Sequence, residues 1–420
     1  MAEKQLASTV AAAEHQKTWF AELRRDVFDN RKPYAIVQAD MPLELFQAMD
    51  LPVVSNQWWA AIISAKRLSP VYLDCMNARG FHEGLCRYCS LGLASTLCAD
   101  AAPPPWGGLP RPALIAARLT CDCIQHVFQI WSEAFGTEFV ALDAPGASDL
   151  PARWWELSRH RWRELYEEHR MDFMVLQFGR LIERLECITS RKFELERLRT
   201  LMEGVNRQEE YFEEVRDLIC TAPQTPVRMQ EQVSNVMAAQ WLRGSEWAIS
   251  HARRFRDEVK ERVEQGVAAC PAERLRLMWV GAGLWHDMDF YTAFEAEYGA
   301  VFVWSMYLAF GPDGYIRYGL DDPLKALASR TVSFNEQLHN PPWANEWIVD
   351  QAKRHRIDAA LVLTPLGTRP SATGNRFIEL ALENAGIPVL PIFADMVDAR
   401  SWDAARMRRT VAQFLEGRTK

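Results

Sequence analysis

Short apolar runs alternate with helical segments toward both ends of the chain. Each run is followed by a stretch in which apolar residues recur every three or four positions. The alternation predicts βαβ units whose parallel sheet is buried on both faces. The predicted strands are Tyr34–Gln38, Leu51–Ser55, Ala113–Ala117, Phe139–Asp143, Leu275–Val280, Ala300–Ser305, Ala359–Thr364 and Ile387–Ile392. Helices are predicted at 43–49, 58–67, 70–79, 121–135, 290–298, 343–355, 373–385 and 402–415.

The middle of the chain shows no strand pattern. From residue 151 to residue 265, Glu, Arg, Leu and Trp recur with helical periodicity, and Pro223 and Pro226 interrupt the run. We therefore predict an α/β fold of two doubly wound parallel-sheet lobes joined by a helical segment. The predicted units are an N-terminal helix (1–32), a first lobe with the cysteine motifs (33–150), the helical segment (151–265) and a second lobe (266–420).

Composition and charge narrow the class of protein. The chain has 420 residues, 49% of them hydrophobic and 25% charged, which is typical of globular domains and not of disordered chains. A net charge of -7 provides no positive field for nucleic acid, and no stretch of 18 apolar residues predicts a membrane span. The first 20 residues lack the apolar core of a signal peptide, so we expect a cytoplasmic protein with reduced thiols.

Two pairs of cysteines are the first candidate for chemistry. Cys86 and Cys89 follow Gly80, and Cys121 and Cys123 directly follow a predicted strand. A helix N-terminus at Cys121 would lower its thiol pKa, and two thiolate pairs could hold an iron–sulfur cluster or zinc. Burial in the core is the alternative, because the spacing matches neither a zinc ribbon nor a ferredoxin. The other five are predicted to be buried core thiols: Cys75, Cys98, Cys187, Cys220 and Cys270.

Two further loops follow the carboxyl ends of predicted strands, where open α/β sheets bind ligands. Asn56, Trp58 and Trp59 follow the second strand, and the two indoles would either line a cleft or pack in the core. Gly281, Gly283 and Trp285 follow the fifth strand, where glycines let a ligand approach the backbone. We predict that these six residues bind substrate. The glycine pattern is incomplete for a dinucleotide site, and the neighbouring His286 is expected to be a capped surface residue.

Several stretches together resemble the 2-hydroxyacyl-CoA dehydratase and benzoyl-CoA reductase family. Leu51–Val54 resembles its first strand, and the segments ending in Cys86 and Cys121 resemble its two cysteine motifs. Gly281–Trp285 resembles its glycine-rich turn, and Ala385–Asp395 resembles its C-terminal signature. The stretches occur in the family's order and span about residue 33 to 416.

The resemblance implies a hetero-oligomer of two homologous subunits, each with a 4Fe-4S cluster held by three cysteines. Carried over by position, two ligands fall at Cys86 and Cys121, but the third falls at Thr368. The chain also has Ser55 and Phe393 where the family often has glutamate. Either Cys89 or Cys123 completes a rearranged site, or this subunit has an incomplete cluster or none.

The chemistry that the resemblance implies is single-electron transfer to an acyl-CoA thioester. A separate ATP-dependent iron–sulfur activator would supply the electrons, so ATP is not expected on this chain. Because Trp58 and Trp59 would suit an aromatic acyl group, we expect oxygen-sensitive ring reduction of the benzoyl-CoA type. The alternatives are a 2-hydroxyacyl-CoA dehydratase subunit, a cluster-free partner subunit, and a zinc-stabilised binding protein that uses the four cysteines.

Overall fold

The computed structural model describes residues 5–338, 340, 342–366 and 374–418. Its eight strands form two sheets of four. The strands are β1 (Ala35–Val37), β2 (Val53–Ser55), β3 (Leu114–Arg118), β4 (Glu138–Leu142), β5 (Leu275–Val280), β6 (Ala300–Ser305), β7 (Ala359–Pro365) and β8 (Val389–Ala394). All eight predicted strands are confirmed within two residues at each end.

Helices cover and connect the two sheets. They are α1 (Ala7–Asn30), α2 (Leu43–Ala48), α3 (Asn56–Ala65), α4 (Ser69–Ala78), α5 (Arg87–Leu97), α6 (Asp122–Phe135), α7 (Trp154–Leu165), α8 (Glu168–Thr189), α9 (Leu195–Thr221), α10 (Met229–Gln240), α11 (Glu246–Glu264), α12 (Glu295–Tyr298), α13 (Met306–Gly314), α14 (Pro323–Leu338), α15 (Trp343–Arg354), α16 (Asn375–Asn384) and α17 (Ala404–Glu416). No helix in the described ranges is long and apolar enough to cross a membrane.

Both sheets are entirely parallel and have the same strand order. The first runs β2-β1-β3-β4 and the second runs β6-β5-β7-β8. Strands β1, β3, β5 and β6 are buried along their whole length, as expected for sheets with helices on both faces. The predicted α/β fold of two doubly wound lobes is therefore confirmed.

Two helices of the second lobe are absent from the sequence prediction. Helices α13 and α14 follow β6, where the polar and apolar positions show no clear period. The helix predicted at 290–298 instead divides into a single 3-10 turn, Met288–Thr292, and the short α12.

A buried ion-pair network joins three parts of the chain. Glu44 of α2 is fully buried and accepts a hydrogen bond from Arg243 Nε and another from Arg330 Nη1, each at 2.7 Å. Burial alone would raise the pKa of Glu44, but the two guanidinium groups outweigh it and the pKa is lowered. The first lobe, the segment after α10 and helix α14 are thereby held together.

Aromatic stacking attaches the N-terminal helix to the helical segment. The ring of Trp247 in α11 stacks between His15 of α1 and His251, with centroid separations of 3.8 and 4.8 Å. Burial lowers the pKa of His251 to about 4 and also lowers the pKa of His15. Both imidazoles are therefore neutral at neutral pH.

Candidate functional site

The two cysteine segments converge because α5 and α6 pack closely against each other. Gly92 lies in the middle of α5, and a Cβ there would overlap the ring of Trp131 on α6 and the side chain of Asn56. The glycine therefore permits an approach that a larger residue would block. The N-termini of α5 and α6, with their cysteines, lie side by side.

The four thiols of these segments are in mutual contact. Cys86 directly precedes α5 and Cys89 lies in its first turn, while Cys121 caps α6 and Cys123 lies in its first turn. The Cys89 thiol contacts the other three, and Cys123 also contacts Cys86. The structure thus brings the four cysteines of the two segments together. That Cys86, Cys89, Cys121 and Cys123 bind a metal stays a prediction.

The thiols differ in how readily each loses its proton. The hydrogen bond from Cys89 lowers the pKa of Cys121, and Ile124 N donates to its Sγ at 3.4 Å. The same contact raises the pKa of Cys89 well above the usual range, and contact with Cys86 raises that of Cys123 to about 12. Of Cys89, Cys121 and Cys123, the thiol of Cys121 is thus the one that ionises most easily.

The four thiols are the kind of ligand that a soft metal binds, but their side chains are not arranged as the ligands of a metal ion are. Thiolates are the ligands that iron–sulfur clusters and zinc prefer. Among the described residues, no group of three or more His, Cys, Asp or Glu side chains is placed so that it could hold a metal ion. Thr368, at the position of the family's third cysteine, lies outside the described residues.

A cavity of about 180 Å³ opens beside the thiols, between the two lobes. Cys86, Cys89 and Cys121 line one side of it. Most of the remaining wall is apolar or aromatic: Ile124, Met237, Trp241, Val280, Met306, Phe310, Phe334, Leu338, Ile378 and Met396. Walls of this kind exclude water and bind apolar groups.

The cavity has little charge of its own. Among the described lining residues, Asp40 is the single carboxylate and Arg243 the single cation. The guanidinium of Arg243 is already engaged, because it donates to both oxygens of Glu44 and to the carbonyl of Met41. Asp40 follows β1 and accepts a hydrogen bond from Gln38 Nε2 at 2.8 Å.

Two buried tyrosines lie next to the thiols. Tyr88 and Tyr307 both line the cavity, and their hydroxyl groups interact with each other. Burial raises the pKa of both hydroxyls, so they are neutral hydrogen-bond donors at neutral pH. The ring of Trp285 packs 5.6 Å from that of Tyr307 but does not line the cavity.

The glycine-rich turn after β5 contributes one glycine to the cavity wall. Gly281 has φ +120°, and a Cβ there would meet Leu363 of the neighbouring strand. It lines the cavity and donates its N–H to Met306 Sδ at 3.2 Å. Gly283 instead packs against Trp285 outside the wall. Substrate contact by Gly281, Gly283 and Trp285 stays a prediction.

The structure does not bring Asn56, Trp58 or Trp59 to the cavity wall. Asn56 is buried and donates Nδ2 to the carbonyl oxygen of Cys89 at 3.1 Å, so it supports a cysteine segment from behind. Trp58 and Trp59 pack in an aromatic cluster with Phe20 and Trp106. Of the two alternatives for the indoles, packing is the one that these contacts show.

His286 is not a surface residue, and that prediction is wrong. Its side chain is 3% exposed, and Nε2 lies 2.9 Å from the carbonyl oxygen of Asp395. The loop of Asp395 is connected to the cysteine segment as well, because Arg87 Nη1 lies 3.6 Å from Asp395 and 3.4 Å from Asp398. These contacts tie the start of α5 to the second lobe.

Of the five cysteines predicted to be buried core thiols, Cys270 is confirmed as a buried free thiol. Cys75 and Cys98 form a disulfide between α4 and the end of α5, with their Cα atoms 6.2 Å apart. Cys187 is exposed and Cys220 is half-buried, whereas Cys270 is buried. Helical spacing places a residue on a face, but it does not show which side chain from another helix meets it.

Sequence reasoning missed Gln38, Asp40 and the wall formed by α13 and α14. The residues after β1 could have been found, because they follow the carboxyl end of a predicted strand like the other loops considered. Met306 and Tyr307 carry the same signal, because they directly follow the predicted strand Ala300–Ser305. Phe310 had no such signal, since α13 itself was not predicted.

The fold and this site define a two-lobed α/β protein with a thiol-lined apolar cavity between its lobes. Residues 38–417 match the family model of the 2-hydroxyglutaryl-CoA dehydratase D-component. The chain belongs to this family. The resemblance to 2-hydroxyacyl-CoA dehydratases is therefore confirmed, and the chain is an enzyme subunit of the kind that acts on CoA thioesters.

Two curated relatives are similar over nearly the whole chain. Lactoyl-CoA dehydratase subunit alpha of Anaerotignum propionicum is 19% identical over 392 residues, which cover 89% of this chain and 88% of the relative. The (R)-2-hydroxyisocaproyl-CoA dehydratase alpha subunit of Clostridioides difficile is 20% identical over 380 residues, with coverage of 89% and 87%. These comparisons favour the dehydratase alternative over ring reduction of the benzoyl-CoA type.

Proposed function

We propose that the chain is a subunit of a 2-hydroxyacyl-CoA dehydratase, which removes water from a 2-hydroxyacyl thioester. The observation that carries the proposal is the placement of three thiols, Cys86, Cys89 and Cys121, on the wall of an apolar cavity. The family membership of the chain and the dehydratase names of both relatives support it.

The residues of the chain would bind and shield the reacting group. The apolar wall holds the acyl chain and keeps water away from it. The neutral hydroxyl groups of Tyr88 and Tyr307 can donate hydrogen bonds to the thioester carbonyl. Cys121, with its lowered thiol pKa, is well suited as a thiolate donor, and Cys86, Cys89 and Cys123 lie beside it. A 4Fe-4S cluster bound by these thiols would supply single-electron transfer to the thioester.

We propose two partners for this subunit in the cytoplasm. The first is a homologous subunit, and the alpha-subunit names of the relatives support a partner of this kind. We propose that this partner has the complete set of cysteines. The second is a separate ATP-dependent iron–sulfur activator, which would provide low-potential electrons.

The experiment is anaerobic co-purification of the chain with its homologous subunit, followed by iron, sulfide and zinc analysis. The complex is then assayed with the activator on lactoyl-CoA, 2-hydroxyisocaproyl-CoA and benzoyl-CoA. The proposal expects formation of a 2-enoyl-CoA from one of the hydroxyacyl substrates. Reduction of benzoyl-CoA without any dehydration would contradict it, as would zinc in place of iron.

A second candidate is a cluster-free partner subunit. Thr368 in place of the family's third cysteine favours it. The matched variants Cys121→Ser and Cys187→Ser distinguish the two roles, because Cys187 is exposed and does not line the cavity. If this chain holds the cluster, only Cys121→Ser lowers the iron content of the complex. If it is cluster-free, both variants retain the iron of the partner subunit.

A further inference from the structure

Among the described residues that line the cavity, one carboxylate is suited to taking a proton from a bound ligand. The tyrosine hydroxyl groups on the wall are neutral donors, because burial raises the pKa of each. Arg243 is a cation, and the other polar lining residues are amides, thiols and a threonine hydroxyl. Asp40 is the single carboxylate among the described lining residues.

The carboxylate of Asp40 is held in place from one side only. Gln38 Nε2 donates to its Oδ2 at 2.8 Å, and Thr120 Oγ1 lies 3.5 Å from the same oxygen. Gln38 is itself fixed, because its Oε1 accepts the backbone N–H of Arg118 at 2.8 Å. Oδ1 receives no hydrogen bond from any residue within the described ranges, so it is available to a ligand.

Asp40 contacts the segment that carries Cys121, and it also interacts with a buried cation. Thr120, which contacts Asp40, directly precedes Cys121 at the N-terminus of α6. Arg118 is fully buried, and its guanidinium interacts with the charge of Asp40.

We propose that Asp40 accepts the proton that carbon 3 of the acyl chain loses during dehydration, an inference that rests on the proposed function. In this reaction the C3–H bond breaks, its proton goes to Asp40, and its electron pair forms the C2=C3 double bond. The C2–O bond breaks, and the departing hydroxide takes up one proton to become water. Asp40 then releases its proton to solvent, so the net change is the loss of one water with no net oxidation or reduction.

The test compares Asp40→Asn with the matched change Asp149→Asn in the complete complex with its activator. Asp149 is exposed and lies outside the cavity, so its variant controls for the loss of one carboxylate. With 2-hydroxyisocaproyl-CoA as the probe, we expect kcat of D40N to fall about 10²- to 10⁴-fold, as for the loss of a general base. KM and the iron content of the complex should stay close to those of D149N.

An isotope measurement separates proton transfer from a structural role. If D40N slows the transfer itself, deuterium at carbon 3 should reduce kcat more strongly in D40N than in the wild type. A merely structural loss would lower the activity without raising this isotope effect. An unchanged isotope effect in D40N, or a kcat equal to that of D149N, would overturn the proposal.

Asp40→Ala provides a second route if D40N folds poorly. Formate can occupy the space of the deleted carboxylate, so it should restore activity to D40A several-fold and have no such effect on D149N. Failure of formate to restore activity would count against Asp40 as the base.

If the wild-type complex dehydrates no 2-hydroxyacyl-CoA, the proposed function fails first and the role of Asp40 fails with it. If the wild type is active and D40N is equally active, only the role of Asp40 fails.

Discussion

Glu44 and Arg243 form an ion pair in which neither side chain reaches solvent. Glu44 Oε1 accepts from Arg243 Nε at 2.7 Å, and their side chains are 0% and 5% exposed. Arg330 donates to the same oxygen, so one carboxylate neutralises much of the charge of two buried guanidinium groups. Buried pairs are costly to break, since the partner that remains loses its counter-charge.

Removing the carboxylate should therefore destabilise the fold strongly. We expect Glu44→Gln to lower the free energy of unfolding by about 3–5 kcal/mol. Asp50→Asn is the matched control, because Asp50 pairs with Arg191 and Arg197 on the surface. Urea unfolding of both variants checks the prediction, and equal midpoints for the two would contradict it.

The close packing of α5 on α6 gives a second prediction. Gly92→Ala would force a Cβ into Trp131 and Asn56, so we expect a loss of about 1–3 kcal/mol. Gly179→Ala in α8 has nothing within 4 Å of the new Cβ and should be neutral or stabilise by up to about 1 kcal/mol. In thermal unfolding, the midpoint temperature of Gly92→Ala should therefore fall, and that of Gly179→Ala should stay the same or rise.

The stacked histidines give the fold a sensitivity to acid. The pKa of His251 is about 4 in the folded protein, against 6.5 for an ordinary histidine. Folding therefore favours the neutral ring, and this contribution is present above pH 6.5 and is lost as pH falls from 6.5 toward 4. A difference of this size is worth about 3 kcal/mol.

The variant His251→Gln should show less loss of stability over that pH range than the wild type. Measuring unfolding free energies of both proteins at several pH values isolates the histidine, because all other ionisable groups are the same in both. Parallel curves for the two proteins would show that His251 makes no such contribution.

The lowered pKa of Cys121 predicts selective alkylation in iron-free protein. Because Cys121 is half-buried and ionises easily, iodoacetamide should modify it at a pH where Cys89 and Cys123 stay unmodified. Peptide mass spectrometry measures the extent of labelling, with the exposed Cys187 as the internal reference for accessible thiols. Faster labelling of Cys89 than of Cys121 would contradict this order.

The strands could be predicted from the sequence because parallel strands buried on both faces appear as unbroken apolar runs. The glycine turn and the segment of Cys121 could be located for the same reason, since each follows such a run. The wall around Phe310 could not, because α13 and α14 are buried on several sides and their polar residues pair with residues of other helices, which hides the helical period. Arg330 with Glu44 is such a pair.

Tertiary contacts account for the remaining errors. His286 looked like a loop residue because its partner, the carbonyl of Asp395, lies more than 100 positions away in the chain. The pairing of Cys75 with Cys98 depends on how α4 meets the end of α5, which helical spacing does not encode. Trp58 and Trp59 pack on α1, whose approach likewise had no signal at these positions.

The buried network of Glu44, Arg243 and Arg330 also has a mechanical consequence for the cavity. Arg243 is part of the cavity wall. Its ion-pair network connects α2, the segment after α10 and helix α14. The part of the wall that Arg243 forms is therefore fixed in place. Any widening that admits a long thioester has to come from other lining segments, among which are the two cysteine segments and the turn at Gly281.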